Sequence, residues 1–114
     1  GYSLAGLFSL WSAYKSNIFS GIAAASPSVW FNGWEEFMNN NTPLSNTIYL
    51  SLGDTEEKTK NKVMSAVGNN IRKQEELLKN DNINTILERN KGGHFSDSDI
   101  RVAKAFVWCI EILC

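Results

Sequence analysis

Thr47-Ile48-Tyr49-Leu50-Ser51-Leu52-Gly53-Asp54 is the stretch that decides the fold. Six residues rich in β-branched and aromatic side chains, stopped by Gly-Asp, read as a strand. Beyond it, Lys58 to Lys79 sets Val63, Val67 and Ile71 on one stripe, with Leu77 and Leu78 following. That periodicity predicts a long amphipathic helix. Lys60, Lys62, Arg72, Lys73, Glu75 and Glu76 fall on its other side and read as a solvated face. Asn80-Asp81-Asn82 is a turn, and Ile83 to Glu88 reads as another strand. Two strands joined through a long helix form the crossover that a parallel pair requires.

The same alternation extends upstream. Ile18 to Ala25 is a short apolar run bounded by turn residues, as expected of a strand buried on both faces. Ser26-Pro27-Ser28 breaks it. Leu4, Leu7, Phe8, Trp11 and Tyr14 follow helical spacing, so a mostly buried helix is expected to open within a few residues of Ser3 and to end at Ser16-Asn17. Trp34 to Asn39 reads as a short helix, and the tract from Asn39 to Pro43 as a loop. Downstream, Ser96 and Asp99 resemble a capping box for a last helix from about Asp97 to Leu113. Ile100, Ala103, Val107, Ile110 and Leu113 or Cys114 are expected inward, with Cys109 in or near the core as a small apolar residue. The order helix, strand, helix, strand, helix, strand, helix predicts an α/β fold: about three parallel strands with helices on both faces.

Composition narrows the function classes. The 114 residues are 43% hydrophobic and 20% charged, which supports a packed core and excludes disorder as the main state. Eleven basic residues against twelve acidic ones leave a formal charge of -1, so no nucleic-acid partner is expected. No apolar run reaches the roughly 18–20 residues of a membrane span. The two cysteines, Cys109 and Cys114, are too few for a disulfide scaffold and lack zinc-ligand spacing. With a single histidine, no metal site is expected. No phosphate-binding glycine motif is present, and no cofactor is expected.

Three features sit just beyond strand ends or at a helix start. Ser3 opens the first helix; Asp54, Glu56 and Glu57 follow the Thr47–Leu52 strand; His94, within Gly92-Gly93-His94, follows the last. Ligands of open α/β sheets bind at the carboxyl ends of the strands, so the three would gather on one edge. Serine, acid, histidine is also the chain order of α/β-hydrolases. A serine hydroxyl needs a base to take its proton, and His94 is the single ordinary neutral-pH base in the chain. A carboxylate would hold the imidazole tautomer and stabilise its charged form. At a helix N-terminus, the Leu4 backbone N–H would face a developing oxyanion.

Gly1-Tyr2-Ser3-Leu4-Ala5-Gly6-Leu7-Phe8 resembles the nucleophile elbow of the esterase D-like and enterochelin (siderophore) esterase-like α/β-hydrolases. Ala25-Ser26-Pro27-Ser28-Val29-Trp30 is similar to the Ser-Pro-Ser-aromatic stretch of the siderophore-esterase branch. Leu50-Ser51-Leu52-Gly53-Asp54-Thr55-Glu56 resembles its Gly-x-x-acid loop, and Gly92-Gly93-His94 its histidine loop. The resemblance spans essentially the whole chain. It implies a serine ester hydrolase acting on a small-molecule ester or thioester, siderophore lactones included. Ser3 would be nucleophile, His94 base and Glu56 acid, with Asp54 and Glu57 as rivals; Tyr2, Trp30 and Trp34 would lie around the substrate. Ala5 departs from the family pattern by replacing the second glycine of the elbow. The family also places strands, and the loop of the second oxyanion donor, upstream of the elbow. The chain opens on its most motif-like residues, so residues 1–114 are expected to be the C-terminal part of an α/β-hydrolase domain. The edge of the first strand would then be exposed, and self-association through it is expected.

Overall fold

The computed structural model describes residues 1–113. In chain order it contains α1 (Leu4–Lys15), β1 (Gly21–Ala25), α2 (Trp34–Asn40), β2 (Thr47–Gly53), α3 (Val67–Asn80), β3 (Asn84–Asn90) and α4 (Ser98–Leu113). Two 3-10 turns, Glu56–Lys58 and Met64–Ala66, lie between β2 and α3. The strands form one parallel sheet in the order β1-β2-β3, with Ile48 in register with Ile22 on one side and Thr85 on the other. The expected α/β architecture is present, with helices on both faces.

Alternation along β2 builds the two faces, because successive side chains of a strand point opposite ways. Ile48, Leu50 and Leu52 are fully buried in one core with Leu7 and Leu10 of α1, Met38 of α2, and Ile71 and Leu78 of α3. Tyr49 points to the other side and packs with Ala105 and Cys109 of α4. Every residue of β2 is buried, as a central parallel strand covered on both faces should be.

Four expectations about these elements are corrected. The helix expected from Lys58 begins at Val67. The Asn61 side-chain oxygen accepts the backbone N–H groups of Val63 and Met64 at 3.0 and 3.1 Å, holding the chain in a turn that competes with the helix. Val63 is therefore 62% exposed, and the inward stripe is Val67, Ile71, Gln74 and Leu78. The first strand begins at Gly21 rather than Ile18, and Ile18 and Phe19 are exposed. On α1, Leu7, Leu10, Ala13 and Tyr14 are buried, but Leu4, Phe8 and Trp11 face outward.

The fourth correction concerns α4. Ile100, Ala103, Val107, Ile110 and Leu113 are exposed, and the inward face is Arg101, Ala105 and Cys109. Cys114 lies outside the described residues. The small side chains at 105 and 109 bring α4 close to the sheet, where Cys109 Sγ lies 3.7 Å from the Ile22 carbonyl. Arg101 follows them inward because its charge is paired there. The capping box at Ser96 and Asp99 is replaced by a loop contact, in which Ser96 Oγ accepts the Gly93 N–H at 3.2 Å.

Gln74 is the one polar side chain of the α3 stripe, and both ends of its amide are satisfied. Its oxygen accepts the Trp34 indole N–H at 2.9 Å, and its nitrogen donates to the Tyr14 hydroxyl at 2.7 Å. Burial pushes the Tyr14 phenol up to about 12, so it stays protonated. None of the helices among the described residues is long and apolar enough to cross a membrane. Replacing Gln74→Leu conserves volume but strands two buried polar groups. Urea unfolding followed by tryptophan fluorescence is expected to show a loss of about 1–3 kcal/mol.

Candidate active site

The carboxyl ends of the three strands open on one edge of the sheet, and the chain leaving each contributes a residue there. Ser26 follows β1, Glu56 follows β2 and His94 follows β3. Gly1–Ser3 runs beside the end of β1, where Tyr2 pairs with Ala25 in an isolated parallel bridge. The chain then turns sharply into α1.

Ser3 sits at that turn with φ 61° and ψ −124°. A non-glycine residue there costs roughly 1–3 kcal/mol and persists only when its surroundings hold it. They do so through the backbone. Ser3 N–H donates to the Ala25 carbonyl at 3.1 Å, and the Ser3 carbonyl accepts from Leu7 and Ser28 at 3.0 and 3.1 Å. A Cβ on Gly1 would lie 2.5 Å from the Ala5 carbonyl oxygen, so only glycine fits where the elbow crosses the helix. Ala5 lies within α1 at negative φ, which explains why alanine is accommodated there. Leu4 is the first residue of α1, so its N–H has no acceptor within the helix.

Ser3 Oγ lies 2.9 Å from His94 Nε2, and His94 Nδ1 lies 2.7 Å from Glu56 Oε1. The second oxygen of Glu56 accepts the Gly53 N–H at 2.6 Å, the Ser26 hydroxyl at 2.6 Å and Arg101 Nη2 at 3.0 Å. Burial favours the neutral acid, yet the hydrogen bonds from Ser26, Gly53, His94 and Arg101 outweigh it and hold the carboxyl below its ordinary range. An ionised carboxylate only accepts, so His94 donates through Nδ1 and leaves Nε2 to accept the Ser3 proton.

Geometry separates the three acids. Glu56 is 8% exposed and reaches the imidazole. Asp54 is exposed, and its Oδ1 instead accepts the Gly92 N–H at 3.0 Å, tying the end of β2 to the histidine loop. Glu57 points away and pairs with Arg72 at 3.0 Å. A Cβ on Gly53 would come within 2.5 Å of the Gly92 carbonyl, so the two loops approach closely only because position 53 is bare.

A cavity of about 240 Å³ opens beside His94, bounded by Pro27, Trp30, Met64, Val67 and Phe95. Trp30 is a wall of it. Trp34, expected to be another, is 5% exposed in the main core, where it meets Tyr14 edge-on and donates to Gln74. The aromatic content of Val29-Trp30-Phe31 and Trp34 did not distinguish the two, because only the start of α2 turns the second ring inward. Tyr2, also expected at the substrate, donates its hydroxyl to the His94 carbonyl and receives Arg101 Nη1 at 3.0 Å. Its ring lies against the imidazole with centroids 5.3 Å apart. Among the described residues, no three His, Cys, Asp or Glu side chains converge as a metal site.

Two buried residues complete the site without being marked as site residues by their local sequence: Ser26, in the Ser-Pro-Ser stretch that ends β1, and Arg101. Ser26, at φ 41°, and Arg101 are 1% and 2% exposed. For Arg101 the available signal is the spacing Arg101, Ala105, Cys109, which places a cation on a face of otherwise small residues.

No family model matches the chain, and no curated protein matches it. Among solved structures, the chain is similar to the siderophore hydrolase EstA from Aspergillus nidulans, with a TM-score of 0.68 and 20% sequence identity. The match covers all of this chain and 48% of that one, so the chain spans about half the length of the hydrolase whose fold it shares.

The acid of the site also makes stability depend on pH. The folded-state pKa of Glu56 lies below its ordinary value of 4.5, so the folded state binds fewer protons than the unfolded one in acid. Its contribution is full above 4.5 and is lost as pH falls through the lowered value. Wild type is expected to be more stable than Glu56→Gln at neutral pH. In urea unfolding, that gap should narrow as pH falls below 4.5.

Proposed function

We propose that this chain is a serine ester hydrolase acting on a carboxylic ester or thioester. The observation that carries the reading is the continuous relay from strained Ser3 through His94 to buried Glu56, with contacts of 2.9 and 2.7 Å. In the first step the Ser3 hydroxyl attacks the ester carbonyl and its proton passes to His94 Nε2. Glu56 stabilises the imidazolium that results. The tetrahedral oxyanion meets the Leu4 N–H at the start of α1. Collapse breaks the bond to the leaving alcohol or thiol, which takes the proton from His94. Water activated by His94 then cleaves the acyl-enzyme and restores Ser3.

The cavity beside His94 supplies a mostly apolar wall, with Trp30 at one side, for a part of the substrate. The Ser-Pro-Ser-aromatic resemblance and the fold shared with a siderophore hydrolase favour a siderophore-type ester or lactone within this class.

A second reading rests on the sheet edge. β3 carries Asn84, Glu88 and Arg89, which discourage edge pairing, but β1 is Gly-Ile-Ala-Ala-Ala and bears no charge. Among the described residues, Gly1–Ser3 pairs with its outer edge from Ala23 to Ala25, and exposed Phe8, Phe19 and Phe106 flank the remainder at Gly21 and Ile22. On this reading the chain is a non-catalytic α/β unit that self-associates through β1.

Incubation with a fluorophosphonate is expected to add one phosphonyl group at Ser3. Ser3→Ala should abolish the adduct and lower p-nitrophenyl ester hydrolysis by roughly 10⁴–10⁶-fold. Hydrolysis that survives in Ser3→Ala would refute the esterase reading. Sedimentation is expected to show a concentration-dependent dimer that Phe19→Lys, at the exposed start of the β1 edge, disperses. A monomer throughout the micromolar range would sink the self-association reading.

A further inference from the structure

The geometry points to Arg101 as the positioning residue that aims the acid and the histidine loop at each other. The inference rests on the reading of Ser3, His94 and Glu56 as a hydrolytic triad and adds a residue of α4 that touches none of the reacting atoms. Arg101 is 2% exposed, and burying a guanidinium costs several kcal/mol unless it is paired and hydrogen-bonded. Here the partners are the parts of the site itself. Nη2 donates to Glu56 Oε2 at 3.0 Å and to the Ser26 hydroxyl. The two N–H groups of Nη1 are shared among the Gly93 carbonyl at 3.1 Å, the Ser96 carbonyl at 3.3 Å and the Tyr2 hydroxyl at 3.0 Å. Tyr2 in turn donates to the His94 carbonyl.

One planar group therefore holds the carboxylate with one nitrogen and the histidine loop with the other. Occupying Oε2 leaves Oε1 of Glu56 directed at His94 Nδ1. Fixing the Gly93 and Ser96 carbonyls, one on each side of His94, sets where the imidazole leaves the backbone. The two tasks need a fork of donors in fixed geometry. A lysine ammonium is a single point and cannot span both. The guanidinium carbon also lies 5.4 Å from the centre of the Tyr2 ring, within cation–π range, which anchors the segment carrying Ser3.

His94 is the one histidine in the chain, so its imidazole signals are unique in an NMR spectrum. The test compares wild type with Arg101→Met, Arg101→Lys, Glu56→Gln and the Arg101→Met/Glu56→Gln double variant. Circular dichroism checks that each is folded. Arg101→Met is expected to lose the slowly exchanging His94 Nδ1–H resonance, as Glu56→Gln does. Fluorophosphonate labelling of Ser3 should slow on the order of 10²-fold, and the double variant should be no slower than the slower single one. Arg101→Lys, which keeps the charge without the fork, should behave like Arg101→Met and carries the test if the methionine variant does not fold. A retained Nδ1–H resonance in the Arg101 variants, or losses that multiply in the double variant, would overturn the proposal. If wild-type Ser3 is not labelled while the resonance still depends on Arg101, the esterase reading falls and the positioning role stands.

Discussion

A single buried carboxylate draws together the sheet edge at the carboxyl ends of the strands. Glu56 accepts hydrogen bonds from Ser26 after β1, from Gly53 at the end of β2, from His94 after β3 and from Arg101 on α4. Four separate parts of the chain thus meet on two oxygen atoms. An ion at 8% exposure would be costly if any large share of these donors were missing. The donors in turn would be unsatisfied without the ion. This mutual dependence ties the loops beyond the strands to one another, although loops are ordinarily the most mobile part of an α/β fold.

The parallel sheet makes that meeting geometrically available. Parallel strands all present their carboxyl ends on the same edge, so residues far apart in sequence arrive within a few ångströms. Ser3 and His94 are 91 positions apart and 2.9 Å apart in space. The two faces then divide the work. The face packed by α1, α2 and α3 supplies most of the apolar core. The face under α4 has a smaller cluster, Tyr49 with Ala105 and Cys109. That thinner packing leaves room for α4 to bring a charged residue inward at its start. The strain at Ser3 is borne by backbone hydrogen bonds to Ala25, Leu7 and Ser28, which join the elbow to β1 and to the segment after it.

Much of this was legible in the residues, and the failures have identifiable causes. The strands expected at 47–52 and 83–88 stand at 47–53 and 84–90, legible from their β-branched and aliphatic residues, most clearly in the central strand, which is buried on every residue. The start of α3 is not legible in the hydrophobic stripe, because Asn61 offers the backbone a local alternative that periodicity does not register. The inward face of α4 is not legible either, because the helix is apolar on more than one side and periodicity cannot choose between faces of similar hydrophobicity. Trp34 was grouped with Trp30 for a related reason: aromatic content marks burial, but a core and a cavity wall look alike along a chain. Asp54, Glu56 and Glu57 lie within four positions, and sequence alone could not say which carboxylate turns inward.

By itself the sequence determined the alternation of elements, the parallel sheet that alternation requires, and the identities of the serine and histidine at its edge. These follow from local patterning, from strand connectivity and from the presence of a single histidine. Only the tertiary structure decided which acid reaches His94, that Asp54 instead holds the histidine loop, that Trp34 belongs to the core, and that Arg101 lies buried among the loops. Those outcomes depend on contacts between residues dozens of positions apart. They are set by charge pairing and close packing at low solvent exposure, where removing one partner changes the energy of all the others.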